Sequence, residues 1–418
     1  MTNQSKTDVL IIGGGVIGVC TAYELAKKGA QVTLIEQGEI ASGASFANGG
    51  LIVPSHSVPL AAPGVPLQGL KWMFNPESPF YIKPHIDLDF LEWILLFAYS
   101  SRRKRMMQSI PVLSDLLLVG RKLFDEFAAL EDFDFEYEQK GTLLTFLTLR
   151  ALDHGVEEAD LAGRFGVETR ILNSSEICEL EPALRTDVAG GIHYLQDAHM
   201  DPARFVCGLA EKAEKLGVKI VTKTEVVGLD AEKSRISRIE TTHGDYYAEQ
   251  VVLAAGVWSP AVLRDLKIYL PVQAAKGYSI TLEQPELSPK FPLMFGEARV
   301  VVTPLQNRLR LAGTLELSGM DPSINRRRVN AIRTNAAKYL QGLEGAKTLE
   351  IWRGMRPCTP DGLPVIGRAG SIENLVIATG HAMLGISLGP ITGKLVSQLI
   401  SDEKPEIDLQ PLRLNRFY

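Results

Sequence analysis

The sequence predicts an α/β protein of two domains, or of two interleaved halves, with a parallel sheet in one part and an antiparallel sheet in the other. Three observations predict it. Within the first 36 residues an apolar run at 8–12, a glycine-rich turn, helical periodicity over 16–28 and a second apolar run at 31–36 make one β-α-β unit. Residues 271–315 alternate apolar and polar, as an antiparallel sheet with one wet face does. The length of 418 residues exceeds one ordinary domain.

Each element follows from local pattern. Gly29 stops the first helix, on whose inner face Ile17, Cys20, Leu25 and Ala26 fall together. Residues 42–69 are rich in Gly, Ala, Ser and Pro, an irregular stretch of the length that tends to carry function. Helices are expected at 88–99, 112–130, 152–165, 202–216 and 326–340, and strands at 142–147, 219–221, 251–255 and 375–378. A last helix is expected over 390–400, with Pro390 in the first turn, where proline is favoured.

Composition excludes several classes. The chain is 45% hydrophobic and 22% charged, which rules against disorder, collagen and coiled coil. A net charge of -5 argues against a nucleic-acid binder. Cys20, Cys178, Cys207 and Cys358 are scattered without a C-x-x-C pair, so neither a disulfide scaffold nor a metal site is expected. The start lacks a basic stretch followed by an apolar core, and no uncharged apolar run reaches the ~18 residues of a membrane span. Glycine is in excess, 37 residues, and its clusters carry the functional reading.

The first cluster is Gly13, Gly14, Gly15, Val16, Ile17 and Gly18, a match to G-x-G-x-x-G between a strand and a helix, with Glu36 at the end of the next strand. Gly13 permits a tight turn, Gly15 lets backbone approach a pyrophosphate, and Gly18 allows close helix–strand packing. The helix N-terminus offers free N–H groups to the phosphates, and the Glu36 carboxylate can accept from both ribose hydroxyls. FAD and NAD share this physics, so the fingerprint alone leaves the dinucleotide open.

Three more segments decide it: residues 42–50 (SGASFANGG), 353–367 (RGMRPCTPDGLPVIG) and 379–385 (TGHAMLG) leading to Gly389 and Pro390. Together they resemble the D-amino-acid oxidase superfamily of FAD flavoproteins. Residues 61–67, 71–74 (KWMF) and 276–279 (KGYS) are similar to its bacterial D-amino-acid dehydrogenase small-subunit branch. The resemblance implies a glutathione-reductase-type FAD-binding Rossmann domain interleaved with an antiparallel-sheet substrate domain. The expected division is 1–85, 198–268 and 348–418 for the first, and 86–197 and 269–347 for the second.

It also implies roles for residues. Arg356 matches the clamp for a substrate carboxylate, which a planar guanidinium grips with two parallel bonds; the competing reading is a structural salt bridge, a place Arg353 could also fill. Gly385, Ile386 and Ser387 match the turn beneath the pyrimidine edge of the flavin, with Gly354, Gly380 and His381 in neighbouring segments. Gln37, Ser42, Ser45, Asn48, Gly49 and Gly50 match the stretch that passes the pyrophosphate and ring. Val226 falls where relatives read adenine through backbone, and Ala255, Gly256 and Trp258 complete the expected FAD contacts. His56, Lys276 and Tyr278 are expected pocket residues, against packing or sheet-support roles. Non-covalent FAD is expected, because Gly354 stands where relatives with a linked flavin carry cysteine and Cys358 is out of register for the link.

The implied activity is hydride transfer from the Cα of a D-amino or imino acid to flavin N5, giving an imino acid and then an oxo acid and ammonia. Electrons go to a quinone or a carrier protein. An oxygen-using glycine/sarcosine-type oxidase, a D-proline or D-hydroxyproline dehydrogenase, and an electron-transfer or assembly subunit remain alternatives. A cytoplasmic enzyme is expected, with 90–99 (FLEWILLFAY) and the following Arg102, Arg103, Lys104 and Arg105 as a candidate peripheral contact with the inner membrane, against an ordinary solvated helix end.

Overall fold

Two sheets, each assembled from distant parts of the chain, divide the work of holding the site. The computed structural model describes residues 5–65, 78, 80–83 and 87–418. Residues 66, 67 and 71–74, which contribute to the resemblance, lie outside the described residues.

The first sheet has eight strands. Ser5–Ile12 lies between Val32–Ile35 and Gly244–Leu253, parallel to both. Lys219–Val221 and Leu375–Thr379 extend it in parallel, and Val365–Arg368 pairs antiparallel with the latter. Val32–Ile35 and Leu375–Thr379 are buried at every position, which is why they read as unbroken apolar runs. The strand expected at 251–255 is the end of the longer Gly244–Leu253, whose polar first half pairs with Arg235–Thr241.

Helix Val16–Lys27 covers this sheet and is itself crossed by Gly385–Ile400. The crossing is close because a Cβ on Gly393 would lie 2.6 Å from the carbonyl carbon of Cys20, and one on Gly389 would lie 2.6 Å from Val16 Cγ2. The second helix begins at Gly385 rather than 390, so Pro390 lies inside it. Proline there forfeits a backbone bond, at roughly 3 kcal/mol in a helix interior. The burial of Ile386, Leu388, Ile391, Leu395 and Val396 offsets that cost. Among the described residues Ala382–Ile400 is the one helix long and apolar enough to cross a membrane, and 67% of that window is buried inside the protein.

The second sheet has nine strands, in the order Thr348–Cys358, Gln273–Glu283, Arg308–Leu317, Val300–Leu305, Leu293–Phe295, Thr142–Phe146, Gly190–Tyr194 and Thr169–Asn173, with Phe80–Ile82 beside Arg308–Leu317. This departs from the division expected from sequence, which put Phe80–Ile82 and Thr348–Cys358 on the cofactor side. Thr348–Cys358 instead pairs with Gln273–Glu283 along nearly its whole length. Helix Arg103–Ala128 starts well before the expected residue 112 and carries Pro111 inside it. Its buried Phe124 and Phe127 pack with Phe133, Phe135 and Phe205 between the two sheets.

Candidate active site

Both sheets open onto one cavity of about 970 Å³, at the large end of the roughly 300–1,000 Å³ usual for ligand pockets. One end is built on the glycine-rich turn. Gly13 has φ +114° and a Cβ there would lie 2.5 Å from the Ala254 carbonyl oxygen. A Cβ on Gly18 would lie 1.9 Å from the Gly13 oxygen. These two glycines are demanded by the fold itself. Gly15 is not: its φ is an ordinary -77°, and a Cβ would touch only Ser45 Oγ, at 3.5 Å. Its bare backbone faces the cavity beside Val16 and Ile17 at the helix N-terminus. Val16 N donates to Ser45 Oγ at 3.1 Å, and no acidic residue stands in the helix's first turn, so the positive end of the dipole remains available to an anion. Glu36 is held in place by N–H groups of Gly14 at 2.7 Å and Gly38 at 2.8 Å, and still faces the cavity.

Gln37, Ser42, Ser45, Asn48, Val226, Ala255, Gly256, Trp258, Arg356, His381, Gly385 and Ile386 also line this cavity. Gly49 and Gly354 line a small adjoining recess instead, which Arg356 and Asn48 share with the main cavity. Other expected site residues lie elsewhere. Gly50 forms a left-handed turn, φ +72°, closed by its N–H to Asn48 Oδ1, and packs on the Met200 carbonyl. Gly380 turns away against Thr359. Ser387 accepts from Val53 N and donates to the Leu51 carbonyl, pinning the short strand Leu51–Ile52 to the last helix.

Of the expected pocket residues Lys276 and Tyr278, Lys276 is corrected to a support behind the wall, whereas Tyr278 borders the small recess and not the main cavity. Lys276 is 1% exposed, donates to the Asp321 and Ser323 carbonyls, and lies 3.6 Å from Glu316. Tyr278 OH donates to Glu316 and accepts from Asn325 N. Together they brace the turn whose Met320 and Pro322 reach the cavity. His56 lines neither opening; its Nδ1 meets Ser55 Oγ at 3.1 Å, and burial together with the nearby Arg299 lowers its pKa to about 4.

Arg356 holds the other end of the cavity. Opposite Gly277 the strand Arg308–Leu317 bulges, and Thr314, at φ +66°, aims its carbonyl at Arg356 Nη1, 3.0 Å away. Gly277 makes the room, since a Cβ there would lie 2.2 Å from the guanidinium. Among the described residues Arg356 has no carboxylate partner, and burial lowers its pKa. The salt-bridge reading therefore fails among the described residues. Arg353 does not fill it either: it donates to the Pro322 carbonyl and lines the cavity. A half-buried cation whose one acceptor among the described residues is neutral is a site for an anion.

His381 is 2% exposed, its Nε2 lies 3.0 Å from Thr392 Oγ1, and burial lowers its pKa to about 3. It is neutral across the physiological range. Sequence reasoning missed Thr224, Arg264, Asp265, Met320 and Pro322 among the lining residues. No local motif marks them; pairing between distant segments brings them to the cavity.

The family model described as DAO, FAD dependent oxidoreductase, matches residues 8–399. The chain belongs to that family. It is 32% identical over 422 residues to a D-amino acid dehydrogenase of Cereibacter sphaeroides, covering 98% of this chain and 95% of that one. It is 33% identical over 417 residues to a D-amino acid dehydrogenase of Vibrio atlanticus, covering 98% and 100%. Glycine oxidase from Geobacillus kaustophilus has a similar structure, with TM-score 0.81, 26% identity and 99% of each chain covered. L-proline dehydrogenase from P. horikoshii shares the fold at TM-score 0.79 and 22% identity, over 99% of this chain and 98% of that one. The protein is thus an FAD-dependent oxidoreductase, and the cavity suits FAD: an open helix N-terminus, a fixed carboxylate on the second strand, and a backbone left bare at Gly15.

Two predictions follow from this geometry. Gly15→Ala should leave the apoprotein as stable as wild type while lowering FAD affinity about tenfold or more, whereas Gly18→Ala should impair folding itself. Melting of the apoproteins and flavin content per chain distinguish the two. For His381, the unfolded chain takes a proton below about pH 6.5 and the folded chain does not until about pH 3. Stability therefore falls as pH drops through that window, by about 2 kcal/mol between pH 6.5 and 5 from this residue. Denaturant unfolding of wild type and His381→Asn at both pH values should show that difference in slope.

Proposed function

We propose that the protein oxidises a D-amino acid to the 2-imino acid, which water hydrolyses to the 2-oxo acid and ammonia, and that the electrons pass to a quinone or another carrier. The observation that carries this reading is the guanidinium of Arg356, set at the edge of the cavity without a carboxylate partner among the described residues. The relatives named D-amino acid dehydrogenase, matched along nearly the full length of both chains, support it. Bound FAD supplies the acceptor for the hydride leaving the substrate Cα.

The chain's own residues bind and orient. Arg356 grips the substrate carboxylate, and the Thr314 carbonyl fixes the plane of the guanidinium. The amino end of Gly385–Ile400, where Gly385 and Ile386 line the cavity, stabilises negative charge that develops nearby. Neutral His381 adds no competing positive charge and keeps its Thr392 contact. The FAD is held without a covalent bond: Cys358 is 3% exposed, burial raises its pKa to about 12, and it is not among the cavity-lining residues.

One exposed helix face supports a membrane-borne acceptor in this reading. On Leu88–Ser100 the side chains of Leu88, Leu91, Leu95 and Tyr99 are 81%, 56%, 63% and 43% exposed, and their spacing puts them on one helix face. Arg102 and Arg105 stack over the Tyr99 ring at 4.7 and 4.9 Å, beside Arg103 and Lys104. An apolar stripe ending in four cations suits an anionic lipid surface, each cation adding about 1 kcal/mol near it. On this reading the enzyme works from the cytoplasm, resting on the inner membrane.

Arg356→Ala should lower kcat/KM for D-amino acids by about 10²-fold, mainly through KM, since a hydrogen bond to a charged group contributes about 1.5–3 kcal/mol; steady-state assays with a dye acceptor read it, and unchanged kinetics would refute the clamp. Wild type should float with vesicles containing phosphatidylglycerol but not with pure phosphatidylcholine, and Leu91→Gln with Leu95→Gln should abolish flotation while dye-linked turnover persists. Self-association through that face without vesicle binding would refute the membrane contact.

A further inference from the structure

The recess beside Arg356 has about 20 Å³ of free space. That admits roughly one water-sized or methyl-sized group, given that a single water needs at least ~10–15 Å³. It lies against one face of the second sheet, where Gly277 pairs with Gly354 across the strands and Arg356 stands two residues further along. Three glycines border it, yet they do not make it roomy. Gly277 makes way for the guanidinium, with a Cβ there only 2.2 Å from it. Gly354 makes way for the Trp352 ring: a Cβ on Gly354 would lie 2.2 Å from Trp352 Cη2. At Gly49 a Cβ would make ordinary contact with Ala312 Cβ at 3.7 Å. The indole therefore occupies the space that the missing side chain of Gly354 opens, as the guanidinium occupies that at Gly277.

Arg356 borders both openings, so the recess is one place that a substrate gripped there by its carboxylate can offer its side chain. We infer that Trp352 is the specificity-determining residue, and that its ring limits the substrate to 2-amino acids with hydrogen or a methyl group as side chain. The inference rests on the proposed oxidation of D-amino acids and adds the side chain to it. Trp352 acts by excluding volume; it donates nothing to the reaction. Each methylene beyond the first carbon then meets the indole, and a methylene that does not fit a pocket changes kcat/KM by about 10–200-fold.

The test is a homologous series on the FAD-loaded enzyme. Wild type should lose about tenfold or more in kcat/KM at each step from D-alanine to D-2-aminobutyrate to D-norvaline. Trp352→Ala should raise the ratio of D-leucine to D-alanine by about 10²-fold, and Trp352→Phe, which keeps an aromatic floor over Gly354, should raise it by less. Binding without turnover gives a second reading: dissociation constants of acetate, propionate, butyrate and valerate, followed by flavin absorbance, should rise along the series for wild type and flatten for Trp352→Ala. Wild-type enzyme that oxidises D-leucine as well as D-alanine, or variants that fold, load FAD and leave both series unchanged, would overturn the inference. A flavin that no D-amino acid reduces overturns the proposed reaction instead, and the carboxylate series then still decides whether Trp352 closes the recess.

Discussion

A half-buried guanidinium with no carboxylate partner among the described residues is the constraint around which this site is arranged. Desolvating a cation is costly, and Arg356 recovers part of that cost from a single carbonyl, that of Thr314. To supply it, strand Arg308–Leu317 departs from regular pairing and Thr314 accepts a left-handed backbone. To admit the guanidinium, the facing strand gives up a side chain at Gly277. These concessions cost stability and return nothing to the fold alone. They make sense as a prepaid binding site for a carboxylate, where the ligand completes the electrostatics that the protein leaves open.

The cavity exists only because the two sheets are tied together at its waist. The stretch around residues 42–50 is the tie: Ser279 donates to the Ala47 carbonyl, Arg310 to the Asn48 carbonyl and Thr303 to the Gly49 carbonyl, all from the second sheet. From the other side Ser45 meets the helix N-terminus at Val16, and Ser387 holds Leu51 and Val53 to the last helix. The same few residues are thus bonded to both halves. Behind the second sheet, Lys276, Glu316 and Arg328 form a buried ionic cluster. Such clusters contribute little net stability against an apolar equivalent. Here the cluster fixes the turn that carries Met320 and Pro322 into the cavity wall.

The glycine excess divides into two kinds by the same steric measure. Gly13, Gly18, Gly389 and Gly393 are required by neighbouring protein atoms, and a side chain at any of them would strike the fold. At Gly15 a Cβ would meet only Ser45 Oγ, in ordinary contact, and the backbone is ordinary, so no neighbouring protein atom requires it. Motif reading treats the glycines of 13–18 as one unit. Physically they are three positions crowded by neighbouring protein atoms, Gly13, Gly14 and Gly18, and one, Gly15, that faces the cavity.

The sequence by itself determined the apolar strands of the first sheet, the fingerprint turn with Glu36 and the family, because each is carried by short segments with a local pattern. Strands buried on both faces must be apolar throughout, and a phosphate-binding turn must have glycine at fixed offsets, so these features are written locally. Only the tertiary structure decided that Thr348–Cys358 belongs to the second sheet, that Pro390 lies within a helix, and that Lys276 is buried behind the wall while Tyr278 borders only the recess. In a strand, neighbouring side chains point to opposite faces, and nothing in 276–279 alone says which face the cofactor will occupy. That choice is made by the pairing partners, which lie as far away as residue 356.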